Sequence, residues 1–310
     1  MKATRDAFGD QLVLSAKDNQ NILALSADLA KATKLDKFAK EFPDRFFEIG
    51  IAENNMIGIA SGLSEHGYKV FIGSFSAFLT GKYDTIRCSL AYPNCPVILV
   101  GTHGGLAIGR DGVTQMGLED VAIMRALPNM TILNPATYNE TLSLVKYLCE
   151  TELNGPVYLR LGRQPVKEIY SETYEYSSPN RAVGINIRKD GYDGVVFSTG
   201  CILPDVLEAV ENLDIAVVSL TQLKPLDANR ELIEFYVNKF KYIFTVEDHS
   251  IIGGLGSIIA EIIAETASPA KLTRIGLQDV FPESGSTQDL YEKYGLSANQ
   301  IRKTILNVIR

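Results

Sequence analysis

Short apolar runs, each parted from the next by about a helix's length of chain, constrain this fold more than any other feature. ILALS (22–26), RFFEIGI (45–51), KVFIGSF (69–75), PVILVGT (96–102), MTILNP (130–135) and PVYLRLG (156–162) are apolar nearly end to end. A strand with one wet face alternates polar with apolar residues, so unbroken runs predict strands covered on both faces. Between them lie segments such as TYNETLSLVKYLCE, where Leu142, Val145 and Cys149 fall at helical spacing after Pro135. Four more runs follow: GVVFSTG (194–200), IAVVSLT (215–221), YIFTVED (242–248) and KLTRIGL (271–277). Such alternation with short connections predicts an α/β protein with largely parallel sheets and right-handed crossovers. From Gln164 to Asp193 the pattern lapses into polar, tyrosine-rich sequence. The predicted organisation is an α/β domain over residues 1–165, a linker over 166–192, and a smaller α/β domain over 193–310.

Charge and composition narrow the function classes. The 30 Lys+Arg and 37 Asp+Glu are spread along the chain without a basic run, and the net charge is -7. Nothing there attracts nucleic acid or an anionic membrane. No stretch approaches the ~18 to 20 apolar residues of a membrane span. The opening MKATRDAFGDQL lacks the apolar core of a secretion signal, so a cytoplasmic protein is expected. Cys88, Cys95, Cys149 and Cys201 lie far apart, form no CxxC pair and sit in or beside apolar runs. They read as buried reduced thiols. His66, His103 and His249 are scattered and give no metal-ligand spacing.

The densest glycine cluster, GTHGGLAIGRDG, carries Gly101, Gly104, Gly105, Gly109 and Gly112 immediately after a predicted strand. Parallel sheets bind ligands at the carboxyl ends of their strands, so the position suits a site. The cluster lacks the GK[ST] ending of a phosphate-binding P-loop and the GxGxxG spacing of a dinucleotide loop. It holds His103 and Asp111; a purely structural turn is the alternative. GIAENNMIGIASGL (50–63) runs from a strand end into a helix with Met56, Ile59 and Leu63 toward the core. Glu53 stands at that junction, either favouring the helix dipole or serving as a buried functional carboxyl. Phe75 and Phe78, at i and i+3, read locally as core.

Taken in order, ATR (3–5), LSADLA (25–30), FFEIGIAENNMIGIASGLS (46–64), SFSAF (74–78), the run Thr102 to Ala136 and YLRLGRQ (158–164) resemble the pyrimidine-binding domain of transketolases. FSTG, EDHSIIGGLGS and YGLS in the second half resemble the C-terminal domain of the same family. The resemblance covers essentially the whole chain and implies the C-terminal subunit of a split transketolase. The family's first domain, with its GDG motif and downstream Asn, has no counterpart, since GRDG at 109–112 belongs to the glycine loop. A partner subunit is therefore implied to hold Mg²⁺ and the diphosphate of thiamine diphosphate, in a heterotetramer with two copies of each subunit.

Carried over by position, the resemblance implies that Glu53 hydrogen-bonds N1′ of the cofactor's aminopyrimidine. It implies that Phe75 and Phe78 enclose that ring and that Asp28 lies near the cofactor. Arg5, His103 and Arg163 match groups that hold a sugar phosphate, with Arg160 the alternative if the register of YLRLGRQ slips. Asp111 matches a contact to a substrate hydroxyl. Gln115 stands where the family usually has a catalytic histidine, and Ala32 where it has a phosphate-holding serine. The catalytic set expected is Glu53, His103 and Gln115, with no metal ligand in this chain. The implied reaction transfers a two-carbon ketol unit from a ketose, expected to be phosphorylated, to an aldose. The rivals are a β subunit of a 2-oxo-acid dehydrogenase, an enzyme like 1-deoxyxylulose-5-phosphate synthase, a specialised transketolase for an unusual sugar, and a non-catalytic module that kept the fold. The Arg5 and Arg163 handles and the DGVTQ loop disfavour the dehydrogenase, and retention of Glu53 with both phenylalanines disfavours the module.

Overall fold

Each of the ten apolar runs becomes a strand in a computed structural model of the chain, which describes residues 1–176, 184–226 and 229–309. The strands of the first half are β1 (Ile22–Ser26), β2 (Phe46–Glu48), β3 (Lys69–Phe75), β4 (Val97–Thr102), β5 (Thr131–Leu133) and β6 (Val157–Arg160). Those of the second half are β7 (Ile185–Lys189), β8 (Gly194–Thr199), β9 (Ile215–Leu220), β10 (Gln222–Lys224), β11 (Tyr242–Ser250) and β12 (Lys271–Leu277). They form a seven-stranded sheet in the order β10-β5-β6-β4-β3-β1-β2 and a five-stranded sheet in the order β12-β11-β8-β9-β7. Both are parallel except at one edge, where β10 runs antiparallel to β5 and β7 antiparallel to β9. The protein is thus a two-domain α/β molecule with mainly parallel sheets.

The runs of β1, β3, β4 and β6 have no polar face because both faces of the first sheet are covered there, whereas the run of β2, at the sheet edge, is half-buried to exposed, against the expectation. Ile22, Ala24, Phe71, Ile98, Val100 and Leu159 point to one side, beneath Phe8 and Leu12 of helix Thr4–Asp18 and Leu144, Val145 and Leu148 of helix Tyr138–Glu150. Leu25, Val70, Ile72, Val97, Leu99 and Tyr158 point to the other, against Met56, Ile57 and Ala60 of helix Glu53–Glu65. Burying one such side chain stabilises by ~1.5 to 3 kcal/mol, so sheet and helices form as one unit. Of the helix positions expected to be apolar contacts, Met56, Val145 and Cys149 are buried. Ile59 and Leu63 are half-buried against the core, and Leu142 is half-buried.

Three local expectations are revised. Residues 185–189, inside the expected linker, form β7, an edge strand in which Ile185 and Asn186 are buried and Ile187 is exposed. The middle of that linker, 177–183, lies outside the described residues. β10, three residues of the second half, extends the first sheet, and Lys224 Nζ donates to the carbonyls of Arg125 and Leu127 across the same border. Cys88 is exposed rather than buried, while Cys95 and Cys149 are buried, and all four thiols are free. Among the described residues, no helix is long and apolar enough to cross a membrane.

Candidate active site

The parallel strands deliver the candidate residues to one edge. Asp28 follows β1, Glu53 follows β2, Phe75 ends β3, His103 follows β4 and Arg163 follows β6. In the sheet these strands are neighbours in the order β6-β4-β3-β1-β2. Four strand spacings of ~4.8 Å set Arg163 and Glu53 roughly 19 Å apart along the carboxyl edge. That is room for a flat ring at one end and an extended substrate reaching to the other.

Glu53 is the first residue of helix Glu53–Glu65, following Ala52 at the cap. Its side chain is only 8% exposed and is bonded to none of the described residues. A Glu at this position can still favour the helix dipole, so both local readings of Glu53 stand. Glu48, which sequence reasoning passed over, knits the adjoining loops together. Its Oε1 accepts from Asp28 N at 2.6 Å and from Gly50 N at 3.1 Å. Asp28 is exposed and held at φ 60°.

Phe75 and Phe78 stack with centroids 5.3 Å apart, and the His103 ring lies 3.9 Å from that of Phe75. His103 Nδ1 lies 2.8 Å from Thr102 Oγ1, and its Nε2 lies 3.1 Å from Arg5 Nη1. Burial, together with the Arg5 and Arg163 charges, pushes the imidazole down to about 3, so His103 is neutral. Arg5 also donates to Ala32 O at 2.9 Å, while its Nε is buried without a partner. Thr4 fixes this arginine in place, because its hydroxyl accepts from Gly162 N at 2.8 Å and ties the first helix to the segment bearing Arg163. Arg163 Nη1 donates to Ile108 O and to Asp111 Oδ2, both at 2.8 Å. Asp111 answers one of the two cations, leaving the pair short of an anion. Gln115, half-buried, ends a short turn packed against helix Ser76–Thr80 beyond Phe75.

Arg160 is not available to a substrate. It is 5% exposed, its Nε meets Asp120 Oδ2 at 2.8 Å, and its Nη2 donates to Gly117 O and to Asp248 O. Asp120 Oδ2 also accepts from Tyr158 Oη at 2.7 Å. Burial works to raise the Asp120 carboxyl, but the Arg160 charge overrides it and holds the acid below the usual range. Asp248 in turn accepts from Leu106 N and from Tyr291 Oη, so this buried seam joins the two domains beneath the glycine loop. The loop's glycines serve that seam. A Cβ on Gly104 would stand 2.8 Å from the Arg160 guanidinium, and one on Gly105, at φ 85°, 2.2 Å from the Asp248 carboxylate. Close approach at Gly105 is thus to the protein's own second domain and at Gly104 to Arg160 of the first, while His103 is buried in the loop and Asp111 is exposed.

An acid at the start of a helix, a stacked aromatic pair and two arginines thus lie along the carboxyl edge of one parallel sheet. Residues 1–168 match the family model described as "Transketolase, pyrimidine binding domain", and residues 184–301 that described as "Transketolase, C-terminal domain". A Methanocaldococcus jannaschii protein described as "Putative transketolase C-terminal section" is 40% identical, over 100% of this chain and 97% of its own. The "6-deoxy-6-sulfo-D-fructose transketolase subunit SqwH" of Clostridium sp. (strain MSTE9) is 35% identical over 96% of this chain and 91% of its own. A solved structure titled "Split gene transketolase, inactive beta4 tetramer" superposes with a TM-score of 0.87 at 39% identity, covering 100% of this chain and 99% of that one. The chain belongs to the transketolase family.

Proposed function

We propose that this chain is the C-terminal subunit of a heteromeric transketolase that uses thiamine diphosphate and moves a two-carbon ketol unit from a phosphorylated ketose to an aldose. The observation that carries the reading is the buried, unpartnered Glu53 carboxyl on the same sheet edge as the Phe75–Phe78 stack. A carboxyl and a flat apolar stack on one sheet edge fit a protonatable heterocycle such as an aminopyrimidine. Among the described residues no three of His, Cys, Asp and Glu converge as a metal site. Mg²⁺ and the diphosphate are assigned to a partner subunit, a reading supported by the relative titled "Split gene transketolase, inactive beta4 tetramer".

When bound, the cofactor supplies a carbon nucleophile for the ketose carbonyl. Glu53 would exchange a proton with a ring nitrogen of the bound cofactor, and Phe75 and Phe78 would enclose that ring. Arg5, anchored on Ala32 O and beside His103, and Arg163 hold the terminal anion of the sugar. Asp111, held by Arg163, faces a sugar hydroxyl, and Asp28 borders the cofactor. Gln115 orients a donor hydroxyl but carries no titrating proton, which narrows the range of ketoses turned over. The subunits are proposed to assemble as two copies of each in the cytoplasm.

The test is an assay of the chain reconstituted with its partner, Mg²⁺ and thiamine diphosphate. Ketose phosphate plus aldose phosphate should give ketol transfer. Turnover of pyruvate with an electron acceptor, in place of ketol transfer, would make it a 2-oxo-acid dehydrogenase subunit. Equal turnover of unphosphorylated or sulfonated ketoses would move the substrate to a specialised sugar.

A further inference from the structure

We infer that Asp248, a residue of the second domain, is a positioning residue for the substrate: it anchors the turn Leu106–Asp111 and so sets where the Asp111 carboxylate meets the sugar. The inference rests on the proposed reading that Asp111 faces a sugar hydroxyl. Asp248 lies near the end of β11 and is 5% exposed. Its Oδ1 accepts from Leu106 N at 2.8 Å. A backbone N–H only donates, so the direction of this bond is fixed whichever protonation state the acid takes. Its Oδ2 lies 2.7 Å from Tyr291 Oη on helix Thr287–Lys293. The same helix reaches the turn directly, with Thr287 Oγ1 donating to Ala107 O at 3.2 Å. Gly109 and Gly112, both at positive φ, close on the second domain as well: a Cβ there would stand 3.0 Å from Gly285 O and 2.7 Å from Ser284 Oγ.

Asp111 ends the turn, so its place depends on what holds the turn from each side. From the first domain, Arg163 donates to Ile108 O and to Asp111 itself, and Gln164 Nε2 donates to Ala107 O. These are long side chains, and the Arg163–Asp111 pair is partly open to water, so both can follow the turn if it moves. The second domain offers a fixed point. β11 lies between β12 and β8, and the Asp248 carbonyl accepts from the buried Arg160 Nη2 at 2.9 Å. Its ladder to β12 shifts register between Val246 and Ser250, an irregularity of the kind that re-aims a side chain, and Asp248 sits inside it. The turn cannot hold itself, because Gly105, Gly109 and Gly112 all stand at positive φ and Gly109 breaks its helical path. Glycine-rich chain released from an anchor regains the most conformational freedom. A site that is competent for only a fraction of the time binds more weakly by that fraction, while the bound enzyme turns over as before.

The experiment measures KM and kcat of the reconstituted enzyme, well below its melting temperature, for Asp111→Ala, Asp248→Ala, Asp248→Asn and the double variant Asp111→Ala with Asp248→Ala. Asp111→Ala identifies the substrate, ketose or aldose phosphate, whose KM depends on that carboxylate. Asp248→Ala leaves Leu106 N unpaired and should raise KM for the same substrate about tenfold, one hydrogen bond's worth, with kcat within about twofold of wild type. Weakened folding alone would lower the active fraction, and with it kcat, and leave KM where it was. Asp248→Asn, whose amide oxygen still accepts from Leu106 N, should restore KM. Added to Asp111→Ala, Asp248→Ala should change KM by less than about twofold, since the two act through one contact. In the chain alone, hydrogen exchange over residues 104–112 should quicken in Asp248→Ala and stay at the wild-type rate in Asp248→Asn. Should Asp248→Ala not fold, Tyr291→Phe takes its place: freeing Oδ2 should raise KM about threefold, and wild-type KM with wild-type exchange there overturns the inference. An unchanged KM in Asp111→Ala overturns the reading of Asp111 instead. A raised KM in Asp111→Ala with an unchanged KM in Asp248→Ala, or a full tenfold effect of Asp248→Ala on top of Asp111→Ala, overturns the inference and leaves the Asp111 reading standing.

Discussion

Asp120→Asn should destabilise the protein severely and loosen the glycine loop, although Asp120 touches no substrate. The carboxylate is fully buried, one oxygen accepting from both Arg160 Nε at 2.8 Å and Tyr158 Oη at 2.7 Å. The amide removes the charge and leaves the buried guanidinium with carbonyls and the more distant Asp248 for company. Breaking a buried ion pair by removing one partner costs ~3 to 5 kcal/mol. At about 2 to 4 °C per kcal/mol for a chain of this size, Tm should fall by ~6 to 20 °C. Arg160 also packs under Gly104, so KM for the anionic sugar should rise at temperatures below the melt. Calorimetry or near-ultraviolet melts of the single chain read the first effect. The double substitution Asp120→Leu with Arg160→Met should recover most of the loss, because a well-packed apolar pair often replaces a buried ion pair without cost. A Tm within ~2 °C of wild type for Asp120→Asn would refute the reasoning, since 3 kcal/mol is too much to hide at that slope.

Three further outcomes are expected. Glu53→Gln should lower kcat by orders of magnitude while native mass spectrometry still finds the assembled complex, since an amide keeps the shape but cannot pass a proton; near-normal turnover would remove Glu53 from the chemistry. Arg163→Ala should raise KM for a phosphorylated ketose roughly 10-fold to 100-fold, the worth of a charge-assisted hydrogen bond, with a smaller effect on kcat. Its ion pair with Asp111 is largely open to water, so unfolding free energy should move by no more than about 1 kcal/mol, which separates lost binding from lost folding. His103, buried neutral and held down to about 3, takes up a proton more readily unfolded than folded. Its contribution is therefore complete above the ordinary histidine pKa of ~6.5 and is lost as pH falls toward 3, at about 1.4 kcal/mol per pH unit. Denaturant melts of wild type and His103→Gln between pH 4 and 7 should differ by that slope; parallel curves would show that the imidazole titrates normally.

The elements buried on both faces were the legible ones. Ile98 and Leu99 serve opposite faces of one strand, so a run with no polar residue announced itself. The strand-end positions of Glu53, Phe75 and His103 followed, because a parallel sheet puts the ends of its strands together. β7 and β10 escaped for opposite physical reasons. β7 is a sheet-edge strand whose INIRK mixes buried Asn186 with exposed Ile187, so it never forms an unbroken apolar run. β10 is three residues long and gains its partner, β5, from about ninety residues earlier in the chain. Long-range partners also explain Arg160, which local register made a spare anion handle and which Asp120 and Asp248 claim. Gly105 belongs to the same class, since the group that forbids it a side chain, Asp248, comes from the other domain.

The strand exchanged across the border, β10, limits how this protein can be taken apart. With Gln222 and Lys224 paired to Leu133 and Ile132, the first sheet is finished by sequence that lies well inside the second half. Cutting between the two family matches, in the gap from 168 to 184, would strip β5 of its outer partner. The uncovered row of backbone N–H and C=O groups beside apolar Ile132 and Leu133 is the kind of edge on which further chains stack. Domain swaps among relatives must therefore carry residues 222–224 with the first half, and a fragment meant to stand alone needs a substitute strand or a charged residue on β5. The unit that can be transplanted is defined by hydrogen bonds, and its seam does not fall where the chain looks thinnest.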